Sequence, residues 1–382
     1  MNIFNSLGSN YNLSFVFKSL FTIGTKQDKT ALETFLNEKY GGKTILLYKG
    51  RQAIEIALKL LNLPKESSVA INGFTCFAVY QAITNAGLTA DYIDIEKGDL
   101  NFSSDQLKKK IKENPNIKVV IIQNTLGYPA DVKDLAAICK ENNIILIEDL
   151  AHSVGGKFGD FVILSFSQDK LIDAISGGAL IIRNKKYTKT DVITQKDSIK
   201  DRFYPLFTFI IRKTYSIGLG KIIQKILKIF DLLSKPMDNN TEPNTVAPWY
   251  CSLIKEAFDN LDNNLDHRKK IAAIYASNID PKNLSSKITK NIPNSTNLRF
   301  PIFVENRINL INFLKRQNIF VSDIWYDAPI APKKYMPQTN YTNQCPNAEK
   351  VSEIILNLPT HRNVSEQDAM KISQLINQWI QL

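Results

Sequence analysis

The stretch that decides the fold runs from Ile144 to Ile182 and reads IILIEDLAHSVGGKFGDFVILSFSQDKLIDAISGGALII. It opens on a continuous apolar run ending in two carboxylates, Glu148 and Asp149, the pattern of a buried parallel strand that delivers functional groups at its carboxyl end. A second apolar run, 161–166, ends at Ser165, Ser167 and Lys170, and Gly177 and Gly178 open a third. An acid at the end of one buried strand and a lysine just past the end of the next suggest two groups aimed into one pocket. That arrangement is catalytic in kind.

Outward from this stretch, the N-terminal side repeats one theme. In GGKTILLYKGRQAIEIALKLLNL a strand at 44–48 turns at Gly50 into an amphipathic helix with Ala53, Ile54, Ala57, Leu58 and Leu61 on one face. A strand-glycine-helix junction offers N–H groups to an anion, and Arg51 adds charge nearby. The sequence then predicts a strand at 69–71, a loop at 73–76, a helix at 77–86, a strand at 90–95 and a strand at 117–123 with Asn124 and Thr125 at its end. A helix at 134–141 leads into the strand that ends at Asp149. Such alternation predicts a mainly parallel sheet covered by helices, an α/β fold.

On the C-terminal side the chain changes character at RFYPLFTFIIRKTYSIGLGKIIQKILKIFDLL, residues 202–233, which is apolar and basic. Ile222, Ile226, Ile229, Phe230 and Leu233 share one helical face, and Lys221, Lys225 and Lys228 take other positions. No apolar run there reaches the length of about 20 residues that spans a bilayer. Two readings stay open: an interfacial helix on an acidic membrane surface, with contact through 204–233, or a helical insertion packed on its own protein or on a second subunit. A linker at 234–248 precedes a long helix at 249–275. Beyond it, strands at 298–304 and 319–324 and helices at 307–317, 348–355 and 366–378 predict a smaller domain.

A chain of 382 residues suits one large domain and a smaller one, and its 44% hydrophobic and 22% charged content is that of an ordered globular protein. The formal charge of +11 is carried by lysines spread along the chain, which argues against a nucleic-acid partner. Cys76, Cys139, Cys251 and Cys345 lie far apart with no CxxC pair, so no metal site is expected. With no signal peptide evident, a cytoplasmic location is expected.

Taken together, YKGRQAIEIAL, NGFTCFAVYQAITNAG, YIDIEKGDLN, VVIIQNTLGYPAD, ILIEDLAHSVGG, FGDFVILSFSQDKLIDAISGG, LRFPIF and CPNAEKVSEIILNLPTH resemble, in this order and spacing, the DegT/DnrJ/EryC1/StrS aminotransferases. The resemblance implies a pyridoxal-phosphate (PLP) enzyme of fold type I, with a seven-stranded-type, mainly parallel sheet between helices and a smaller α+β C-terminal domain. On that reading residues 1–245 form the large domain, including the insert at about 202–235, and 246–382 the small one.

The resemblance also assigns roles. Lys170 would hold PLP as a Schiff base and shuttle protons, and Asp149 would keep the ring nitrogen protonated, its own pKa depressed by that partner charge. His152 stands where many relatives carry a Gln at the 3-hydroxyl. Gly50, Arg51, Gln52 and Ser165 would receive the phosphate, and Cys76 stands where an aromatic residue often stacks on the ring. Asn124, Thr125, Trp325 and Tyr326 are candidates to face the substrate.

Two further departures are a shortened link at 155–160 and EPNTVAPWY in place of the GYNYRM-type pattern that completes the neighbouring subunit's site. The implied activity is transfer of an amino group from an amino acid, glutamate, to a keto group, that of a nucleotide-linked sugar in cell-surface polysaccharide or secondary-metabolite biosynthesis, by a homodimer. Alternatives are sugar dehydration on the same fold, whose enzymes lack the Schiff-base lysine, and a non-catalytic, membrane-associated binding or regulatory protein.

Overall fold

The computed structural model describes residues 2–187, 194–234, 242–321 and 325–381. Its centre is a seven-stranded sheet in the order 43–47, 178–182, 161–165, 145–149, 117–123, 68–72, 89–93. The strands from 161–165 across to 89–93 run parallel, whereas 178–182 is antiparallel to both its neighbours. The apolar runs 161–164 and 178–182 are wholly buried, as strands covered on both faces must be. Register sets Asp149 between Gln123 on one neighbour and Ile163 on the other. Parallel strands bring their carboxyl ends to one edge, so Gln123, Asp149 and the loop after Ser165 share it.

Helices α1 (Leu13–Phe21), α2 (Lys26–Tyr40), α3 (Gly50–Leu60), α4 (Phe77–Asn85), α5 (Ser104–Glu113) and α6 (Val132–Glu141) cover the sheet or its ends. Local chemistry fixes their ends. Thr25 and Asp28 form a capping box that starts α2, and Gly41, at φ 68°, ends it in the left-handed region. One core gathers Ile54, Leu58, Ile71, Phe74 and Ile147 between α3, α4 and the sheet, and a second gathers Leu36, Leu46, Leu164, Trp249 and Ile254 on the opposite side.

The insert forms two helices, α7 (Ile199–Thr214) and α8 (Leu219–Ile229), separated by Gly218 at φ 85°. Of the expected linker at 234–248, residues 235–241 lie outside the described residues, and Thr245–Val246 is a short strand paired in parallel with Gln195–Lys196. The expected long helix is two, α9 (Pro248–Asp259) and α10 (Leu261–Asn278), because Asn260 leaves helical geometry at φ −98°, ψ 9°. The loop expected at 73–76 contains a short strand, Thr75–Cys76, paired with Ile330–Ala331. The strand expected at 319–324 is Ile319–Phe320, and residues 322–324 lie outside the described residues.

The C-terminal elements centre on an antiparallel pair, Arg299–Phe303 with Ile355–Pro359. Their core holds Tyr275, Phe300, Leu314, Leu358 and Ile376, and also Ile3 from the far end of the chain. Ile3–Phe4 pairs in parallel with Ile319–Phe320, so the N-terminal arm is a strand of this unit before the chain enters α1. Among the described residues no helix is long and apolar enough to cross a membrane.

Candidate active site

A cavity of about 340 Å³ opens at the carboxyl edge of the sheet. Of the residues singled out from sequence, Gly50, Arg51, Cys76, Asn124, Asp149, His152, Ser165, Lys170, Trp325 and Tyr326 line it, and Gln52 and Thr125 do not. The N–H of Gln52 bonds the Lys49 carbonyl, its Oε1 accepts from the Lys49 N–H, and its Nε2 donates to the Glu242 carbonyl. It fixes the start of α3 from behind. Thr125 is fully buried and its Oγ1 accepts from Gln123 Nε2 at 2.7 Å, a bond internal to the loop.

Alternation along a strand separates the two carboxylates of the deciding stretch. Asp149 points into the cavity with Oδ1 accepting from the Ala151 N–H at 2.9 Å. Glu148 points the other way and accepts from the N–H groups of Phe158 and Gly159 at 2.7 and 2.6 Å, with Arg183 at 3.2 Å. It therefore organises the short link at 155–160. Burial raises the Asp149 carboxyl above its ordinary range, and the Ala151 N–H and the Lys170 charge pull it back. Burial outweighs both, because the cavity is a poor solvent for the anion.

Lys170 Nζ lies 3.0 Å from His152 Nε2 and 4.4 Å from the centre of the Trp325 ring. His152 Nδ1 accepts from the Leu126 N–H at 3.2 Å, and burial holds the imidazole well below its ordinary pKa. The ring is thus neutral with its proton on Nε2, placed to donate to the lone pair of the lysine amine once that amine gives up its own proton. Burial pushes Lys170 down to about 8, against the opposing pull of Cys76 and Asp149. An amine so poised is a nucleophile near neutral pH.

The other end of the cavity suits an anion. α3 begins at Gly50, and a Cβ placed there would stand 2.9 Å from Ser165 Cβ. At Gly178 a Cβ would meet the Gly50 nitrogen at 2.6 Å. Helix N-terminus, hydroxyl and glycine backbone therefore meet with no side chain between them. Arg51 lines the cavity while its Nη1 donates to Gln81 at 3.0 Å. Asn124 also lines it, yet its amide donates to Ser153 and accepts from Ala130. A buried acid, a lysine amine of lowered pKa and an anion cradle in one cavity fit the ring nitrogen, aldehyde carbon and phosphate of PLP.

Several residues escaped the sequence reading. Gln123, at the end of the neighbouring strand, accepts from Thr75 Oγ1 at 2.6 Å and braces the loop before Cys76. Lys334 and Tyr335 line the cavity, and Tyr335 stacks on Phe77 at 4.9 Å. The N-terminal arm lies behind the lysine. Ser9 donates through N–H and Oγ to Asp169, Asn10 Nδ2 reaches Asp173 at 2.9 Å and the Lys170 carbonyl at 3.3 Å, and Tyr11 donates to Asp173 at 2.7 Å. No spacing signals contacts between residues 160 positions apart.

The fold and this cavity define a PLP-dependent aminotransferase of fold type I. The DegT/DnrJ/EryC1/StrS aminotransferase family model matches residues 17–206 and 248–377, and the chain belongs to that family. It is 25% identical over 366 residues to the UDP-4-amino-4,6-dideoxy-N-acetyl-beta-L-altrosamine transaminase of Campylobacter jejuni, covering 92% of this chain and 88% of that one. It is 24% identical to a pleiotropic regulatory protein of Geobacillus stearothermophilus, over 86% of this chain and 82% of that one. A chain of Streptococcus pneumoniae solved in a PMP form superposes with TM-score 0.72 at 18% identity, over 100% of this chain and 99% of that one.

Proposed function

We propose that the enzyme moves an amino group from glutamate to the keto group of a nucleotide-linked sugar, as a cytoplasmic homodimer serving cell-surface polysaccharide or secondary-metabolite biosynthesis. The observation that carries the chemistry is the Lys170 amine held 3.0 Å from His152 and facing Asp149 across one cavity. Bound PLP supplies the electron sink that lets a proton leave the amino-bearing carbon. Lys170 holds and returns that proton, and its lowered pKa suits both tasks. Asp149 offers a carboxylate to the ring nitrogen, and His152 orients the amine.

The acceptor reading rests on the far side of the cavity and on the relatives. Trp325, Tyr326 and Tyr335 give flat walls for a sugar ring, and Arg51 and Lys334 supply positive charge for a diphosphate. The Campylobacter relative is named for a UDP-linked amino sugar, and a relative from Vibrio cholerae, 27% identical over 176 residues, is named a GDP-perosamine synthase. The lysine also speaks against sugar dehydration.

The test is single turnover. PMP-loaded protein mixed with a panel of keto-sugar nucleotides should return the PLP spectrum with one or more of them, and glutamate should reverse it. Silence across the panel, with α-keto acids alone reacting, would remove the sugar from the proposal. Lys170→Ala should bind PLP without the lysine adduct and turn over none of them.

A further inference from the structure

The exposed apolar surface of this protein is concentrated in one place. Of the seventeen large apolar side chains exposed on the described surface, fourteen lie in two stretches, 13–23 and 199–232. These stretches are α1, α7, α8 and their flanks. The helices sit side by side: Ser19 Oγ on α1 donates to the Arg202 carbonyl on α7, and Gly220 on α8 lies so close to the Ile211 carbonyl of α7 that a Cβ would meet it at 2.2 Å.

α8 has three faces where a covering helix needs two. Gly220 and Leu227 are buried against the protein. Ile222, Ile226 and Ile229 form a second stripe, 59%, 46% and 68% exposed. Lys221, Lys225 and Lys228 form a third, also exposed. The second stripe is apolar surface left over after the helix has packed, and α1 adds Phe17 and Phe21, 55% and 71% exposed and stacked at 6.4 Å. Surplus of this size marks an interaction site.

We infer that this face rests on the surface of an anionic lipid bilayer. Charge selects that occupant. Residues 13–23 contain no acid, and their one lysine, Lys18, pairs with Glu256 of α9, so the positive charge of the face comes from α8. In 199–232 the acids are Asp201, which is buried, and Asp231, which pairs with Lys200 at 2.7 Å. The outward field is positive beside an apolar stripe, the pattern of an interfacial helix. A second copy docked by a two-fold axis would bring the same positive, acid-poor surface to both sides of the contact. The contact is peripheral, since no described helix can span. α8 also lies in the interval 207–247 between the two stretches that match the family model.

The experiment uses the full-length, PLP-loaded chain and sedimentation with two vesicle types, phosphatidylcholine alone and phosphatidylcholine mixed with phosphatidylglycerol. Wild type should sediment with the mixed vesicles only, and less so as salt rises. Lys221→Gln/Lys225→Gln/Lys228→Gln should lower partitioning about a hundredfold, and Ile222→Ser/Ile226→Ser/Ile229→Ser should abolish it. Both variants should keep the cofactor spectrum. Should a variant fail to fold, hydrogen exchange on wild type decides: mixed vesicles should protect the amides of 13–23 and 199–232. The inference is overturned by wild type that ignores the mixed vesicles, by variants that bind as wild type does, or by serine variants that shift a dimer to monomer in sedimentation velocity, which would put a second copy on this face.

Discussion

Gly50→Ala probes the anion cradle directly. The added Cβ would stand 2.9 Å from Ser165 Cβ, 3.2 Å from its Oγ and 3.3 Å from the Leu164 carbonyl oxygen, whereas carbon atoms settle at roughly 3.5 to 4.0 Å. Neither neighbour is a flexible tip, because Leu164 and Ser165 are held in register against Ala179 and Gly178. The start of α3 must therefore retreat by several tenths of an ångström. Crowding of this kind costs about 1 to 3 kcal/mol, offset by the roughly 0.4 to 1 kcal/mol that a Gly→Ala change takes from the unfolded chain's freedom. The same retreat loosens charge-assisted bonds to a phosphate worth about 1.5 to 3 kcal/mol each. The expected result is a PLP affinity about ten to a hundred times weaker, read by titrating apoprotein and following the lysine adduct. Ser165→Ala, which removes a hydroxyl without crowding, should weaken PLP about tenfold and leave the melting temperature of the apoprotein in place. If Gly50→Ala lowers that melting temperature yet binds PLP as wild type does, Gly50 serves packing alone and the phosphate sits elsewhere.

Lys170 must be uncharged to capture PLP, and burial sets its pKa at about 8, below the ordinary 10.5. The capture rate should thus climb as pH rises through 8 and then flatten. His152→Ala removes the donor to the amine lone pair and admits water, both of which favour the ammonium, so the midpoint should move up; an unmoved midpoint would take His152 out of this role. Asp201, fully buried on α7, accepts from Tyr48 at 2.6 Å and from Tyr250 at 2.8 Å. Burial opposes its ionised form, yet the Lys49 charge and the hydroxyls of Tyr48, Ser176 and Ser234 outweigh burial and lower its pKa. Tyr250→Phe should cost about 1 to 3 kcal/mol in denaturant unfolding, and because Tyr48 and Lys49 lead into Gly50 it should weaken PLP as well. Unchanged unfolding would show that Tyr48 alone satisfies the carboxylate.

What the sequence disclosed follows from how local each signal is. Buried parallel strands announce themselves as apolar runs, so 117–123 and 145–149 were legible almost to the residue, and so was the acid at the end of the latter. Gly50 and Lys170 were legible because a turn and a strand end carry them. Gln52 and Thr125 lie next to true lining residues in sequence, yet their hydrogen bonds to Lys49 and Glu242 and to Gln123 and Asn72 hold them out of the cavity, and no one-dimensional pattern records that. The insert read as an amphipathic helix, but that its apolar stripe is surplus appears only once Gly220 and Leu227 are seen to be the ones used up.

The N-terminal arm shows where such reading ends. The loop that carries Lys170 holds Asp169 at φ 62° and Ile175 at φ 74°, a region that side chains avoid and a β-branched one most of all. Each such residue costs on the order of 1 to 3 kcal/mol and persists only where its surroundings over-determine it. Here they do: Asp169 is held by Ser9, and Asp173 by Asn10 and Tyr11. The arm is pinned in turn by Arg212 to the Tyr11 carbonyl, by Arg268 to Asn10 Oδ1 and by Arg362 to the Asn10 carbonyl. Arg212 belongs to α7, and Arg268 and Arg362 to the C-terminal half. The lysine is thus positioned by a strap that every large part of the chain helps to tighten, and α7, which carries Arg212, joins the catalytic loop to the helices of the apolar face.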